Sequence, residues 1–445
     1  MKNPKNSRKT VKKNVHLNGL IVKNPNSAGI DLGSKDHWVA VSPHLAKDRI
    51  KRFPTFTCNL HDISNWLNKC NVDSVAMEST GIYWIPLYEI LENDGFDVNL
   101  CNAQHVKNLP GRQKTDAKDC VWIQKLHSFG LLTASFVPKL DILALRTLMR
   151  YRERLKNENS RHVLRMQKIL TQMNVLLPNV LSDITGRTGT NIMKAIISGK
   201  TDPDYLMQFK NKQVKASDDN FLKALNGNYQ DFYIKILSYE LMHYEYFVEE
   251  IEKIDNEVSY LLTGMIKAAN GDYDDSIILT DAEMLIALTG VDLTQVPGFE
   301  ILSIRKLISE TGIDMSKWKD AKHFTSWLRL SPNSRISGGK ILSNNKRRKK
   351  PKAAIYFRMC AGTLQNSKTF LGGFLRRKKA QTNYTNALTA TARKIAEIYY
   401  NMLKNKASYV ELGGDYYEKQ HYEKVTRNLR KSAERLGYTL VKTDK

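Results

Sequence analysis

Apolar and polar positions alternate in short runs through the first third of the chain. Residues 28–33 read as a short buried strand, residues 37–42 alternate as a second, and residues 50–58 supply a third. Asn59 stands where it can cap a helix running through Cys70, with Ile63, Trp66 and Leu67 at helical spacing. A strand over 74–77, a helix over 84–93 closed near Gly95, and a further strand over 97–101 follow. Three opening strands and then alternating helix and strand predict a mixed sheet covered by helices.

Past residue 140 the apolar period changes from that of strands to that of helices. Residues 141–177 form one long helical pattern with Leu145, Leu148, Leu155 and Leu170 among its apolar positions, and Pro178 stops it. A Gly-containing link over 185–189 comes next. A second long pattern sets Leu237, Leu241, Tyr244, Val248, Ile251, Val258 and Leu262 on a heptad rhythm that Asp255 breaks. Two such helices, far apart in sequence, predict an antiparallel coiled coil, a dimerisation arm or an ordinary bundle. Either way they form a connector without chemistry.

A third region shows a Val296-Pro297-Gly298 turn between helical stretches and a basic, Gly-containing loop over 331–352. Helices over 353–403 and a charged amphipathic helix over 416–437 complete it. The expected organisation is a basic disordered tail (1–27), an α/β domain (28–140), a helical connector (141–279), a mainly α C-terminal domain (280–410) and a charged helix (411–445).

Charge narrows the function. Lys and Arg number 69 against 45 acidic residues, a net charge of +24, and the pI is about 9.6. The natural partner of such a surplus is a polyanion, whose counterions are released on binding. The five cysteines have no paired spacing, which argues against a disulfide framework and a zinc site. The basic start lacks an apolar leader and no apolar run approaches the ~18 residues of a membrane span. A cytoplasmic, nucleoid-associated protein with no membrane partner is expected.

Four carboxylates stand in suggestive places. Asp31 lies near the end of the first strand and Glu78 follows the strand over 74–77, so both emerge at strand tips. Asp116 and Asp119 are three residues apart where Thr115 can cap a helix, which puts both on one helical face. If the strands are neighbours Asp31 and Glu78 meet, and four carboxylates brought together would form an oxygen-rich cluster of the kind that holds Mg²⁺ or Mn²⁺ for phosphoryl transfer. That conjunction, in so basic a chain, fits a nuclease of the ribonuclease H fold. His37, His105 and His127 show no ligand spacing and read as packing or surface groups, and Tyr83 and Trp84 read as core around the acids.

The stretches GIDLGSKDHWVAV, VAMESTGIYWIPLYEILENDGFDV, NLPGRQKTDAKDCVWIQKLHSFGLL and SFVP resemble the DEDD transposases of the insertion-sequence one-ten family, the bridge-RNA-guided recombinases. The resemblance continues through LALRTLMRYRERL, DITGRTGTNIMKAIISG, VPGF, LRLSPNSRISGGK and LTATARKIAEIYYNMLK, and covers about residues 28–441. It implies an RNase H-like (RuvC-like) N-terminal domain whose acidic quartet falls on Asp31, Glu78, Asp116 and Asp119, a coiled-coil connector, and a C-terminal transposase domain with a nucleophilic serine.

That serine maps onto Ser337, with Ser334 as the alternative. The resemblance implies activation by the metal site of a neighbouring subunit and strand exchange through phosphoserine links, which conserve bond energy. It also implies donor and target DNA, a non-coding guide (bridge) RNA, Mg²⁺, and a tetramer built as a dimer of dimers. Gly338 and Gly339 would let backbone approach phosphate closely, and Lys340 and Arg335 would balance its charge. Lys346, Arg347, Arg348, Lys349, Lys350 and Lys352, together with Arg376, Arg377, Lys378 and Lys379, are candidate nucleic-acid contacts. Two positions depart from the family: Ile336 stands where many relatives carry a second serine, and Glu300 follows Phe299 where a helix-hairpin-helix prefers glycine. The rival readings are a Holliday-junction type nuclease using the four acids and water, and a non-catalytic nucleic-acid-binding protein.

Overall fold

The alternating segments of the first third assemble into one sheet, ordered β5-β4-β3-β6-β7. Its strands are β3 (Ser27–Leu32), β4 (Asp36–Val41), β5 (Ile50–Pro54), β6 (Ser74–Glu78) and β7 (Asp97–Cys101). A computed structural model of the chain describes residues 15–17, 20–79, 81–101, 115–270, 279–331, 334–338, 340–344, 351–411, 413–439 and 441. The central strand β3 is antiparallel to β4 and parallel to β6, and β6 is parallel to β7. The chain divides into two compact units, Met1–Val137 and Pro138–Lys445.

In the first unit the period-two pattern gives each sheet face its own partner. Ala28, Ile30, Leu32, Val75 and Met77 pack on one face with Ile63 and Leu67 of α1 (Thr57–Lys69) and Leu87 and Leu91 of α2 (Trp84–Asn93). The other face receives α3 (Asp116–Ser128). The third strand is shorter than its pattern suggests. Pro54, which has no N–H for the ladder, closes it, and α1 begins at Thr57. Asn59 therefore lies inside α1 rather than at its cap, its Nδ2 donating to Asp62 Oδ2 at 3.1 Å.

The segment expected as a disordered tail contains a small antiparallel ladder, β1 (Val15–Leu17) with β2 (Leu20–Val22). Asn18 and Gly19 separate the two strands in sequence, the pair that two-residue hairpins favour. Lys23 and Asn24 then donate backbone N–H groups to Ser128 O at 2.9 Å, so the approach to β3 is tied to the end of α3.

The second unit is mainly helical. α4 (Leu140–Gln172) ends at Met173 rather than at Pro178, because Asn174 turns left-handed (φ +56°). Pro178 instead opens the short helix α5 (Leu177–Val180), where its missing N–H costs nothing. The expected glycine link starts α6 (Arg187–Ile197), and a Cβ on Gly189 would lie 2.1 Å from Ile184 O, so that glycine is a close-contact residue. Helices α7 (Pro203–Met207) and α8 (Asp218–Leu225) complete a cap with its own core of Met166, Leu170, Ile192, Phe221 and Leu237.

α9 (Asp231–Asn270) packs along α4. The contacts Arg152 with Asp255 and His162 with Glu240 run in opposite order along the two helices, so the pair is antiparallel. Asp255, which breaks the heptad, meets Arg152 in a two-pronged pair of 2.5 and 2.8 Å. Beyond them lie α10 (Asp281–Thr289), α11 (Ile301–Thr311), α12 (Ala321–Trp327), α13 (Lys352–Gly362), α14 (Phe370–Gln381), α15 (Tyr384–Asn405) and α16 (Gly413–Arg435). Phe299, Phe324, Phe357 and Tyr399 meet at their centre, mostly edge to face, with Phe324 stacked on Tyr399. Glu300 caps α11 with φ −121°, a conformation that requires no glycine. Among the described residues no helix is long and apolar enough to cross a membrane.

Candidate active site

Asp31 lies one residue before the end of β3, and Glu78 ends β6. The parallel register pairs Gly29 with Ala76 and Ile30 with Met77, so the next rung sets Asp31 beside Glu78, one strand spacing of about 4.8 Å away. Ile30 and Met77 face α1 and α2. Gly29 and Ala76 face α3, and alternation puts Asp31 and Glu78 on that same face. Glu78 is buried and Asp31 half-buried.

The direction of α3 brings the other two acids to the same edge. His127, near its C-terminus, meets Ser74 at the start of β6 (Nε2 to Oγ, 3.0 Å). Gln124 Nε2 donates to Ser27 Oγ at 3.1 Å and to Ser42 Oγ at 2.9 Å. The helix thus runs antiparallel to β3 and β6, and its first turn, with Asp116 and Asp119, lies toward the strand ends that carry Asp31 and Glu78. Thr115 caps it as the sequence suggests, its Oγ1 accepting from the Lys118 N–H at 3.4 Å. Gly29 permits the approach: a Cβ there would lie 2.1 Å from Gln124 N and 2.5 Å from Cys120 O.

The surrounding groups are now defined. Burial, reinforced by the nearby carboxylates of Glu78 and Asp31 respectively, pushes the Cys101 and Cys120 thiols up to about 12. Both stay protonated at neutral pH. Register continues the row from Asp31 to Trp38 and on to Arg52. Arg52 lies 6.0 Å from the Trp38 ring and pairs with Asp36 at 2.5 Å. That hydrogen bond raises the guanidinium and lowers the Asp36 carboxyl, and Asp116 adds to the effect on Arg52. Sequence reasoning passed over Arg52, whose place is set by pairing across three strands and by no local spacing. Trp84 packs on the core as expected, whereas Tyr83 is 44% exposed. His37 and His127 are buried packing groups, and His105 lies outside the described residues.

The four carboxylates share an edge without closing into a ligand set. Among the described residues no group of three His, Cys, Asp or Glu side chains is gathered closely enough to hold a metal ion. In donor chemistry the quartet fits a hard divalent cation, since every group offered is a carboxylate.

The segment that carries Ser337 is a hairpin rather than the expected loop. β8 (Ser334–Ser337) pairs with β9 (Lys340–Asn344), and Ser337 is directly opposite Lys340. Gly338 and Gly339 stand between them in sequence, a pairing that two-residue turns favour and the sign by which the hairpin is readable. Gly338 has φ +55° and open space where a Cβ would lie. Arg335 is opposite Ser343, and Ser334, the alternative serine, is opposite Asn344 at the far end of the ladder. Lys346, Arg347, Arg348, Lys349 and Lys350 lie outside the described residues. Arg376 on α14 donates to Ser367 O at 2.5 Å, so part of its guanidinium braces the turn before its own helix. Arg377 is half-buried.

An acidic edge on a sheet, inside a chain of net charge +24, is an arrangement suited to phosphoryl transfer on nucleic acid. A DEDD transposase model of the IS110 group matches residues 28–175, which include all four acids. A second model, described as Transposase IS116/IS110/IS902 family, matches residues 292–368, which include the β8–β9 hairpin. No curated protein matches the chain. The chain carries IS110-family transposase domains and is an enzyme of the DNA transposase and recombinase class.

Proposed function

We propose that the chain is an insertion-sequence recombinase that cuts and rejoins DNA through a serine-linked intermediate. The observation that carries this reading is the convergence of Asp31, Glu78, Asp116 and Asp119 on one sheet edge, in a chain whose other matched region holds Ser337 beside a glycine turn. The first unit is read as RuvC-like, from its five-stranded mixed sheet with strand-end acids. Asp31, Glu78, Asp116 and Asp119 would hold Mg²⁺ or Mn²⁺. Such a cation supplies charge neutralisation at phosphate oxygens when bound.

The chain's own residues supply the rest. Ser337 Oγ attacks the scissile phosphorus, the bond from phosphorus to the leaving strand breaks, and that strand's oxygen takes a proton. The hydroxyl proton of Ser337 passes to a base. One phosphodiester is exchanged for one phosphoserine, so the reverse attack by another strand reseals DNA without an outside energy source. Lys340, paired with Ser337, and Arg335 on the same strand bring positive charge to the phosphate. A guide RNA choosing donor and target duplexes, a tetramer built as a dimer of dimers, and a nucleoid location complete the proposal.

The test uses full-length protein with guide RNA, Mg²⁺ and DNA carrying an interrupted strand. Wild type is expected to trap a detergent-resistant protein–DNA adduct, while Ser337→Ala and Asp116→Ala give none. An unchanged adduct from Ser337→Ala would move the nucleophile to Ser334 or elsewhere. Free cut ends without any adduct in the wild type would replace this reading with a metal-dependent nuclease using water.

A further inference from the structure

We propose that Lys156, Lys306 and Lys352, gathered where α4, α11 and α13 meet, form a seat for a backbone phosphate of a nucleic-acid strand. The inference rests on the nucleic-acid reading above. It starts from a local imbalance of charge. Arg150 makes a two-pronged pair with Glu310, both bonds 2.8 Å, and Arg152 is held by Asp255. Lys352 Nζ and the Tyr356 hydroxyl both donate to Glu153 Oε2, at 2.8 and 3.0 Å. The acids of the region are thereby engaged. Among the described residues neither Lys156 nor Lys306 makes a salt bridge.

Lys306 is the centre of the group. It is half-buried, with its ammonium 5.4 Å from the centre of the Tyr356 ring. Burial lowers its pKa; Glu153 opposes this, and Lys156, Arg152 and Lys352 press it further down. The folded chain therefore holds an ammonium that disfavours its own charge, a cost present wherever Lys306 is protonated and gone once pH rises above its unfolded pKa. Perturbed groups of this kind cluster at binding sites, because a ligand of opposite sign relieves the repulsion. A phosphate is such a ligand, with oxygens enough for several ammonium groups at once.

Position supports the assignment. Lys352 opens α13, whose N-terminal end adds partial positive charge. In sequence it follows the run Lys346–Arg347–Arg348–Lys349–Lys350 after Pro351, and that run follows the hairpin of Ser337.

The experiment measures affinity of the full-length protein for labelled duplex DNA and labelled single-stranded RNA over a salt series, with thermal melts of the same samples. Lys306→Met and Lys156→Met are compared with Lys69→Met, an exposed charge on α1. Each seat variant is expected to weaken binding roughly three- to tenfold and to lower the salt slope by about 1. Lys69→Met should do neither. Because removing the charge of Lys306 relieves repulsion, Lys306→Met should melt no lower than wild type while binding less well. Loss on DNA alone, on RNA alone or on both names the strand that supplies the phosphate. Unchanged affinity and slope in both seat variants would overturn the seat and leave the recombinase reading intact, as would a fall in melting temperature matching the fall in affinity. A wild type that binds neither nucleic acid would overturn both.

Discussion

Gly29 decides how near α3 can lie to the sheet, and so where Asp116 and Asp119 stand relative to Asp31 and Glu78. In Gly29→Ala the new methyl meets backbone atoms, Gln124 N and Cys120 O, which cannot rotate away. The helix must lift. We expect a loss of about 1–3 kcal/mol in thermal unfolding, as for an overpacked core, and a fall of about 100-fold or more in strand transfer from the displaced carboxylates. Wild-type melting and activity in Gly29→Ala would show that the helix has slack. The acids themselves were legible in the sequence because each sits at an element end, where apolar periodicity stops. Gly29 and Arg52 were not, since their roles arise from contacts with residues far along the chain. Ser337 was singled out by family likeness alone, because a serine beside glycines is ordinary in any turn.

At the scale of elements, the long antiparallel pair is held by apolar contacts and, at its heptad break, by charge. Asp255→Ala strands the guanidinium of Arg152, whose side chain is only 13% exposed. Because Asp255 is itself partly open to solvent, the expected cost is about 1–2 kcal/mol in denaturant unfolding. The double variant Arg152→Leu with Asp255→Leu restores the apolar seam and should come within about 1 kcal/mol of wild type. A double variant weaker than Asp255→Ala would refute the role given to the pair. The seven apolar positions predicted for the second helix fall within α9, and Leu237, Leu241, Val258 and Leu262 are buried. Helix ends were harder to read. Asn174 stops α4 by turning left-handed, a local choice that competes with an equally visible proline four residues later. The β8–β9 hairpin has the basic, polar composition of a loop, and its one sign in the sequence is the Gly338-Gly339 pair between its strands.

Across the whole molecule, the two compact units should unfold as two calorimetric transitions. The first unit contains His37 and His127, whose imidazoles burial holds below the ordinary value of 6.5. Both hold a proton less readily in the folded chain than in the unfolded one, so the unfolded chain takes up protons first. Their stabilisation is present above pH 6.5 and is lost as pH falls below it. The transition of the first unit should therefore move to lower temperature between pH 7 and pH 5, and His127→Gln should flatten that shift. An unaltered pH dependence in His127→Gln would rule the group out.

In the second unit α4 and α9 join the helical cap at one end to the helices that flank the Ser337 hairpin in sequence. With 40 residues, α9 is a rod about 60 Å long. Such a pair is a ruler with coarse graduations. Removing one residue from either helix turns everything beyond it by about 100° and breaks the seam. Removing seven from both keeps the faces matched to within about 20° and draws the cap in by about 10 Å. Relatives with a different spacing between cap and hairpin are therefore expected to differ by whole heptads, cut or added in both helices together.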